Sequence, residues 1–191
     1  IAIDSTIDLP RGAEAHPTGS VIEVPVGEGT FSRLMNVLGE PIDNAGPIIT
    51  KVKRPIRKMN RHILLNSSEE KVRGFEIMET GIKVIDLLFP LVKGSKNGVL
   101  GGAAIGKSTL TLELIHNVIE KHKGACIFTG IGERIREGHE LYHELKTKGV
   151  IDRIALVYGQ MNETPGARFE TVFTGITLAE YLQEQKQDVL F

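Results

Sequence analysis

Residues Gly101-Gly102-Ala103-Ala104-Ile105-Gly106-Lys107-Ser108 set two glycines around four residues and follow them with a lysine and a hydroxyl. This spacing fits a loop whose backbone N–H groups wrap phosphate, with Lys107 reaching the terminal phosphates and Ser108 offering its hydroxyl to Mg2+. The chemistry asks for a strand before the loop and a helix after it, because the positive end of that helix faces the anion. The plainer alternative is a glycine-rich turn that happens to precede a lysine. Here the flanks favour the phosphate reading: Gly98 to Leu100 is expected to end a strand and Lys107 to Lys121 to form a helix.

A second group is Gly132-Glu133-Arg134, expected just after the next strand, at the carboxyl edge where open α/β sheets bind ligands. A carboxylate there orients an attacking water, and a guanidinium compensates charge on phosphate oxygens. Alone, such a pair would be a surface ion pair in most proteins, and only its place after a phosphate loop gives it a function. His139-Glu140-Leu141-Tyr142-His143 matches the HExxH zinc-peptidase pattern. The pattern is short, no third ligand follows it, and histidines four apart on a helix are commonly surface residues, so the metal reading is set aside. In Gly159-Gln160-Met161-Asn162-Glu163-Thr164-Pro165-Gly166-Ala167-Arg168, the Pro-Gly step signals entry to a helix, and the polar residues read equally well as caps and surface charge.

The elements that must carry these residues change character along the chain. The first fifty residues hold short β-branched runs and turn formers, Val21 to Val26, Gly27 to Gly29 and Leu38 to Asp43, which read as part of a small β-barrel or sandwich. Residues 51–75 read as a basic connector: six of the eleven residues from Lys51 to Arg61 are Lys or Arg, with no hydrophobic period among them. A solvated loop is favoured there over a nucleic-acid patch, since no aromatics are interleaved. Residues 76–191 read as a nucleotide-binding domain. Its helix from Lys107 carries Leu110, Leu114 and Val118 on one stripe with Ile115 and Ile119 beside it. Next come a strand from Ala125 to Thr129, a helix from Glu137 to Lys148 stopping at Gly149, and a strand from Arg153 to Tyr158. A helix from Gly166 to Gln185 with Phe169, Val172, Phe173 and Ile176 at helical spacing leads to a strand opening at Asp188. Such alternation implies an α/β fold with a mostly parallel sheet and helices on both faces.

Composition agrees. The 191 residues are 41% hydrophobic and 25% charged, enough for a real core, and 23 basic against 24 acidic side chains supply no global pull on nucleic acid or anionic lipid. A lone cysteine, Cys126, excludes an internal disulfide and fits a reducing compartment. Twenty-one glycines without tryptophan suit loops that approach a ligand with bare backbone. No apolar run reaches the roughly 18 residues of a membrane span. Starting at Ile1 without a signal peptide, the sequence is expected to be a piece of a longer chain.

Taken in order, Asn36 to Asp43, Thr80 to Asp86, the phosphate loop, Gly132-Glu133-Arg134 with Arg136-Glu137-Gly138, and Gly159 to Arg168 resemble the catalytic beta subunit of F-type rotary ATP synthases. The resemblance covers nearly the whole chain and is weakest from the basic connector to Arg73. It implies a phosphate-loop, RecA-like nucleotide-binding domain preceded by part of an amino-terminal β-barrel. It also implies ATP and ADP as substrates, Mg2+ as cofactor, alternation with alpha subunits in a hexameric ring, a central rotor stalk, and a membrane ion-translocating sector. The resulting location is peripheral, on an energy-transducing membrane, and no nucleic-acid partner is expected. Carried over residue by residue, Gly101 to Thr109 would hold the phosphates, with Lys107 on the β- and γ-phosphates and Ser108 on Mg2+. Glu133 would activate water, Arg134 would contact phosphate, and Glu137 and Glu144 would support the water shell of the metal.

Glu133 separates this chain from the non-catalytic alpha type, which lacks that glutamate, and the block from Gln160 to Arg168 separates it from flagellar and secretion ATPases. The run from Glu113 to His116 is similar to the sodium-translocating branch of the family, without deciding the ion. Three positions depart from the family pattern: Ala104 stands for a glycine, Ser108 for a threonine and Thr164 for the first of two prolines. Ala104 is expected to narrow the loop and Thr164 to loosen a turn, which keeps open a specialised or non-catalytic paralogue. The resemblance also implies an aspartate that orders magnesium's water, an adenine pocket and an arginine from a neighbouring subunit, all beyond Phe191 or outside this chain.

Overall fold

The computed structural model describes residues 2–57, 76–102 and 105–191. Its centre is a four-stranded parallel sheet formed by β-branched and small residues alternating between two faces. In chain order the elements are β1 (Glu23–Val26), β2 (Leu34–Met35), β3 (Val52–Pro55), β4 (Ile77–Met78), α1 (Lys83–Leu88) and β5 (Leu91–Val92). They continue with α2 (Lys107–His122), β6 (Ala125–Glu133), α3 (Ile135–Thr147), β7 (Ile154–Gln160), α4 (Pro165–Glu184) and β8 (Val189–Leu190). The sheet order is β2-β7-β6-β8, with every neighbour parallel. The chain moves from β6 to β7 through α3, then returns across β6 to β8 through α4. Right-handed crossovers in opposite directions put the two helices on opposite faces.

Each face has its own core. Cys126 of β6 and Ile154, Leu156 and Tyr158 of β7 meet Leu112, Ile115 and Ile119 of α2 and Leu145 of α3. Ala125, Ile127, Ala155 and Val157 turn the other way, toward Leu178 and Leu182 of α4 and Val24, Val26 and Ile56 from the β1–β3 ladder. The period of two along β6 and β7 is thus read out in full. Burial pushes the Cys126 thiol up to about 12, so it is an inert core atom.

Several expectations shift. Gly98 to Leu100 form no strand: Leu100 is 98% exposed, and among the described residues this stretch pairs with none of the sheets. The α2 stripe turns inward through Leu112, Ile115, Val118 and Ile119, leaving Leu110 and Leu114 only half-buried. On α4 the expected apolar stripe is not the core face. Phe169 is 54% exposed, while Gly166, Ala167, Thr171, Thr174 and Gly175 are buried. Close approach to the sheet decides this: a Cβ on Gly175 would lie 2.1 Å from Thr129 Oγ1, and one on Gly159 of β7 only 2.4 Å from Thr171 Oγ1. Small residues and threonines fit that seam, and the threonine hydroxyls bond inward, Thr171 to the Ala167 carbonyl and Thr174 to that of Val37, both at 2.7 Å.

The basic run is also less loop-like than expected up to Arg57, and its remainder from Lys58 lies outside the described residues. Val52–Pro55 is a strand antiparallel to β1. Arg54 makes a two-pronged pair with Glu184, and Arg57 pairs with buried Glu170 while its guanidinium lies 4.6 Å from the Phe173 ring centre. These cations anchor the β1–β3 ladder to α4 rather than facing water alone. Among the described residues, no helix is long and apolar enough to cross a membrane.

Candidate nucleotide-binding site

The start of α2 is open and uncapped. Gly106, its N-cap, has φ +90°, a left-handed conformation that suits glycine, and no side chain caps the first turn. That turn contains no acidic residue, so its N–H groups and the helix dipole present unopposed positive potential. Ser108 and Thr109 are exposed on it. Lys107 folds back so that its ammonium donates to the Gly101 carbonyl at 2.8 Å and to that of Gly102. Ala103 and Ala104, and with them the expected narrowing of the loop, lie outside the described residues.

Glu133 ends β6. The ladder with β7 slips between Ile131 and Glu133, where Gly132 takes φ +68°, and this bulge re-aims the last residue of the strand. Arg134 caps α3, which starts two residues earlier than expected, and its Nη1 lies 3.5 Å from Glu137 Oε1. Partial burial, then a hydrogen bond with the Glu137 carboxyl and its like charge, raise the Glu133 pKa above the usual carboxylate range. Glu133, Arg134 and Glu137 are therefore together. Glu144 is not with them: two turns further along α3, about 10 Å by helical rise, it lines an open groove of about 650 Å³ with Ile135, Arg136, His139, Glu140 and His143. In that groove the His139 and His143 rings meet edge-on at 5.0 Å, and Glu140 is engaged by Arg136 at 2.8 Å. No group of three or more potential metal ligands occurs among the described residues.

Because α2 reverses into β6 through only Lys123 and Gly124 and packs on it, the start of α2 lies toward the same carboxyl end of the sheet as Glu133. The loop after β7 completes that edge. Met161 N donates to the Glu133 carbonyl at 3.0 Å, and Gln160 N to Glu163 Oε1 at 3.2 Å. Thr164 does more than occupy a turn. Its Oγ1 accepts from Ala167 N at 3.1 Å as the N-cap of α4, with Pro165 following, and donates to the Ile3 carbonyl at 2.7 Å.

Residues to which the sequence assigned no role support this edge. Tyr158 lies under it, buried, with Gly130 and Gly138 against its ring. Burial and the nearby Glu133 charge push its phenol up. Behind α2, Asp86 accepts from Thr80 N and Oγ1 and from Gly81 N, while Asn117 donates to the Thr80 carbonyl at 2.8 Å. The Thr80 to Asp86 motif thus ties the α1 segment to α2. Only the spacing Thr-Gly-x-x-x-x-Asp hinted at it, whereas the Gly130–Tyr158 contact depends on strand register and leaves no local signal.

A parallel α/β sheet with a Gly-Lys-Ser turn opening a helix, and an acidic strand end toward the same edge, defines a phosphate-loop nucleotide-binding protein. Residues 81–191 match the ATP synthase alpha/beta family, nucleotide-binding domain, and the chain belongs to that family.

Proposed function

We propose that the chain is the catalytic, beta-type nucleotide-binding subunit of a rotary ATP synthase, working on ATP and ADP. The observation that carries this reading is the placement of Glu133, at the bulged end of β6, on the sheet edge toward which the Lys107–Ser108 turn opens, with Glu137 in the first turn of α3 beside it. In the proposed mechanism the α2 N–H groups and Lys107 hold the phosphates, the ammonium leaving the Gly101 and Gly102 carbonyls for the more negative ligand. Glu133 accepts a proton from, or orients, the water that attacks the terminal phosphate, and Arg134 compensates charge developing on its oxygens.

The donors present suit Mg2+: a hydroxyl on Ser108 and carboxylates whose like charges a hard cation would relieve. Ser108 would hold the ion, with Glu137 serving its water shell; Glu144 is the weaker candidate by its distance along α3. When bound, Mg2+ would neutralise phosphate charge. We further assign residues 1–50 to an amino-terminal β-structure and 76–191 to the nucleotide domain, with residues 52–55 of the expected connector joining the former as β3 and β2 joining the main sheet. Alpha-type partners in a ring, a rotor stalk, an ion-translocating sector and a peripheral place on the membrane follow from the same reading. The test is Glu133→Gln in the complete assembly. Turnover is expected to fall by roughly 10³-fold with nucleotide affinity within about twofold. Undiminished turnover would instead assign the chain to the non-catalytic, ring-shaping class.

A further inference from the structure

Tyr158 is the largest fully buried side chain among the described residues, and it faces two glycines at once. In the β6–β7 register it stands opposite Gly130, where a Cβ would lie 2.3 Å from its Cδ1 and 3.3 Å from the Glu133 Cβ. On the other side a Cβ on Gly138 would lie 3.2 Å from its Cζ. Its hydroxyl donates to the Gly138 carbonyl at 3.3 Å, and Phe128 closes edge-on at 5.8 Å. The ring therefore fills the gap between the end of β6 and the first turn of α3, a turn fixed to its cap by the Gly138 N–H bond to the Arg134 carbonyl at 3.0 Å.

We propose that Tyr158 is a positioning residue: wedged between Gly130 and Gly138, its ring sets how far Glu137, in the first turn of α3, stands from Glu133 at the end of β6. The inference rests on the catalytic reading above and adds to it the spacer that holds the two carboxylates in register. A hydrophobic residue of ordinary size would fill the core, but only a flat ring of this length meets both glycine backbones. Reacting geometry is sensitive to such spacing, since a displacement near 1 Å costs up to about a hundredfold in rate.

The experiment is steady-state kinetics on the complete complex carrying Tyr158→Phe, Tyr158→Leu or Gly138→Ala. Tyr158→Phe keeps the ring and is expected to retain turnover within about threefold. Tyr158→Leu is expected to lower kcat roughly tenfold or more while KM for nucleotide stays within about twofold, a split that general destabilisation does not give. Leu145→Ala, a cavity in the same core away from the glycines, is the control and should lower the melting temperature without lowering kcat per assembled complex. If Tyr158→Leu does not assemble, Gly138→Ala pushes on the same contact and should lower kcat alone. The proposal is overturned if Tyr158→Leu, or Gly138→Ala in its place, keeps the normal kcat, or if KM rises as much as kcat falls. Glu133→Gln, measured beside them, separates the two claims: its failure to slow turnover removes the catalytic reading, whereas its success with an indifferent Tyr158→Leu removes only the spacer.

Discussion

On the α4 side of the sheet, Glu170 is buried and accepts two hydrogen bonds from Arg57, which also lies over Phe173. On the α3 side, Glu133 is partly buried beside a second carboxylate, Glu137, whose guanidinium neighbour Arg134 is mostly in water. The first arrangement satisfies its charge within the fold and resists change. The second leaves like charges together, a state that favours a bound cation or a proton and contributes nothing to folding on its own. The same contrast holds for glycine: Gly175 and Gly159 let α4 sit close to the sheet, while Gly130 and Gly138 make room for one ring beneath the acidic edge.

Exchanging the two glutamates tests the contrast most directly. Glu133→Gln should remove roughly 10³-fold of turnover, about 4 kcal/mol of barrier, while the melting temperature holds or rises because a repulsion is gone. Glu170→Gln should do the opposite, lowering the melting temperature by a few degrees with turnover unchanged; thermal denaturation and ATPase assays on the same preparations would show whether the effects separate. A core truncation sets the next scale. Leu156→Ala, at a fully buried position of β7, is expected to cost about 3 kcal/mol in chemical denaturation.

Asp43 provides a charge of the satisfied kind whose effect depends on pH. Burial opposes its ionisation, but Arg33 at 2.7 and 3.0 Å and the N–H groups of Ala45 and Leu34 outweigh this and hold its pKa at about 2, below the usual aspartate range. A lowered carboxylate pKa stabilises the fold fully above the unfolded value and loses that contribution as pH falls through the folded one. About 2 kcal/mol should therefore disappear between pH 4 and pH 2, and Asp43→Asn should flatten that part of the stability profile. The smallest effect belongs to the cap of α4: Thr164→Ala should cost about 1 kcal/mol by denaturant titration. A loss well above that would mean its bond to the Ile3 carbonyl matters more than the cap.

Legibility followed the range of each interaction. The order of β6, α3, β7 and α4 could be read from hydrophobic period, and their ends moved by only a few residues. The phosphate turn and the Glu133-Arg134 pair are contiguous motifs and were visible at once. On α4 Phe169 and Phe173 lie against Arg57, whereas the small residues, with Leu178 and Leu182, face the sheet. Period alone does not say which side a helix presents when both sides are covered. The strand expected before the phosphate turn depends on pairing with a distant element, and among the described residues that stretch pairs with none.

By itself the sequence determined the fold class, the phosphate-binding turn and the catalytic candidates, because each depends on residue type and spacing within a few positions. Tertiary structure alone decided that Glu133 meets Glu137, that Arg54 and Arg57 are anchors, that Thr164 is a cap, and that Tyr158 lies between Gly130 and Gly138. Those contacts arise from the register of β6 against β7, the bulge at Gly132 and the closeness of helix to sheet. All three are set by how separate elements pack, which no local stretch of the chain encodes.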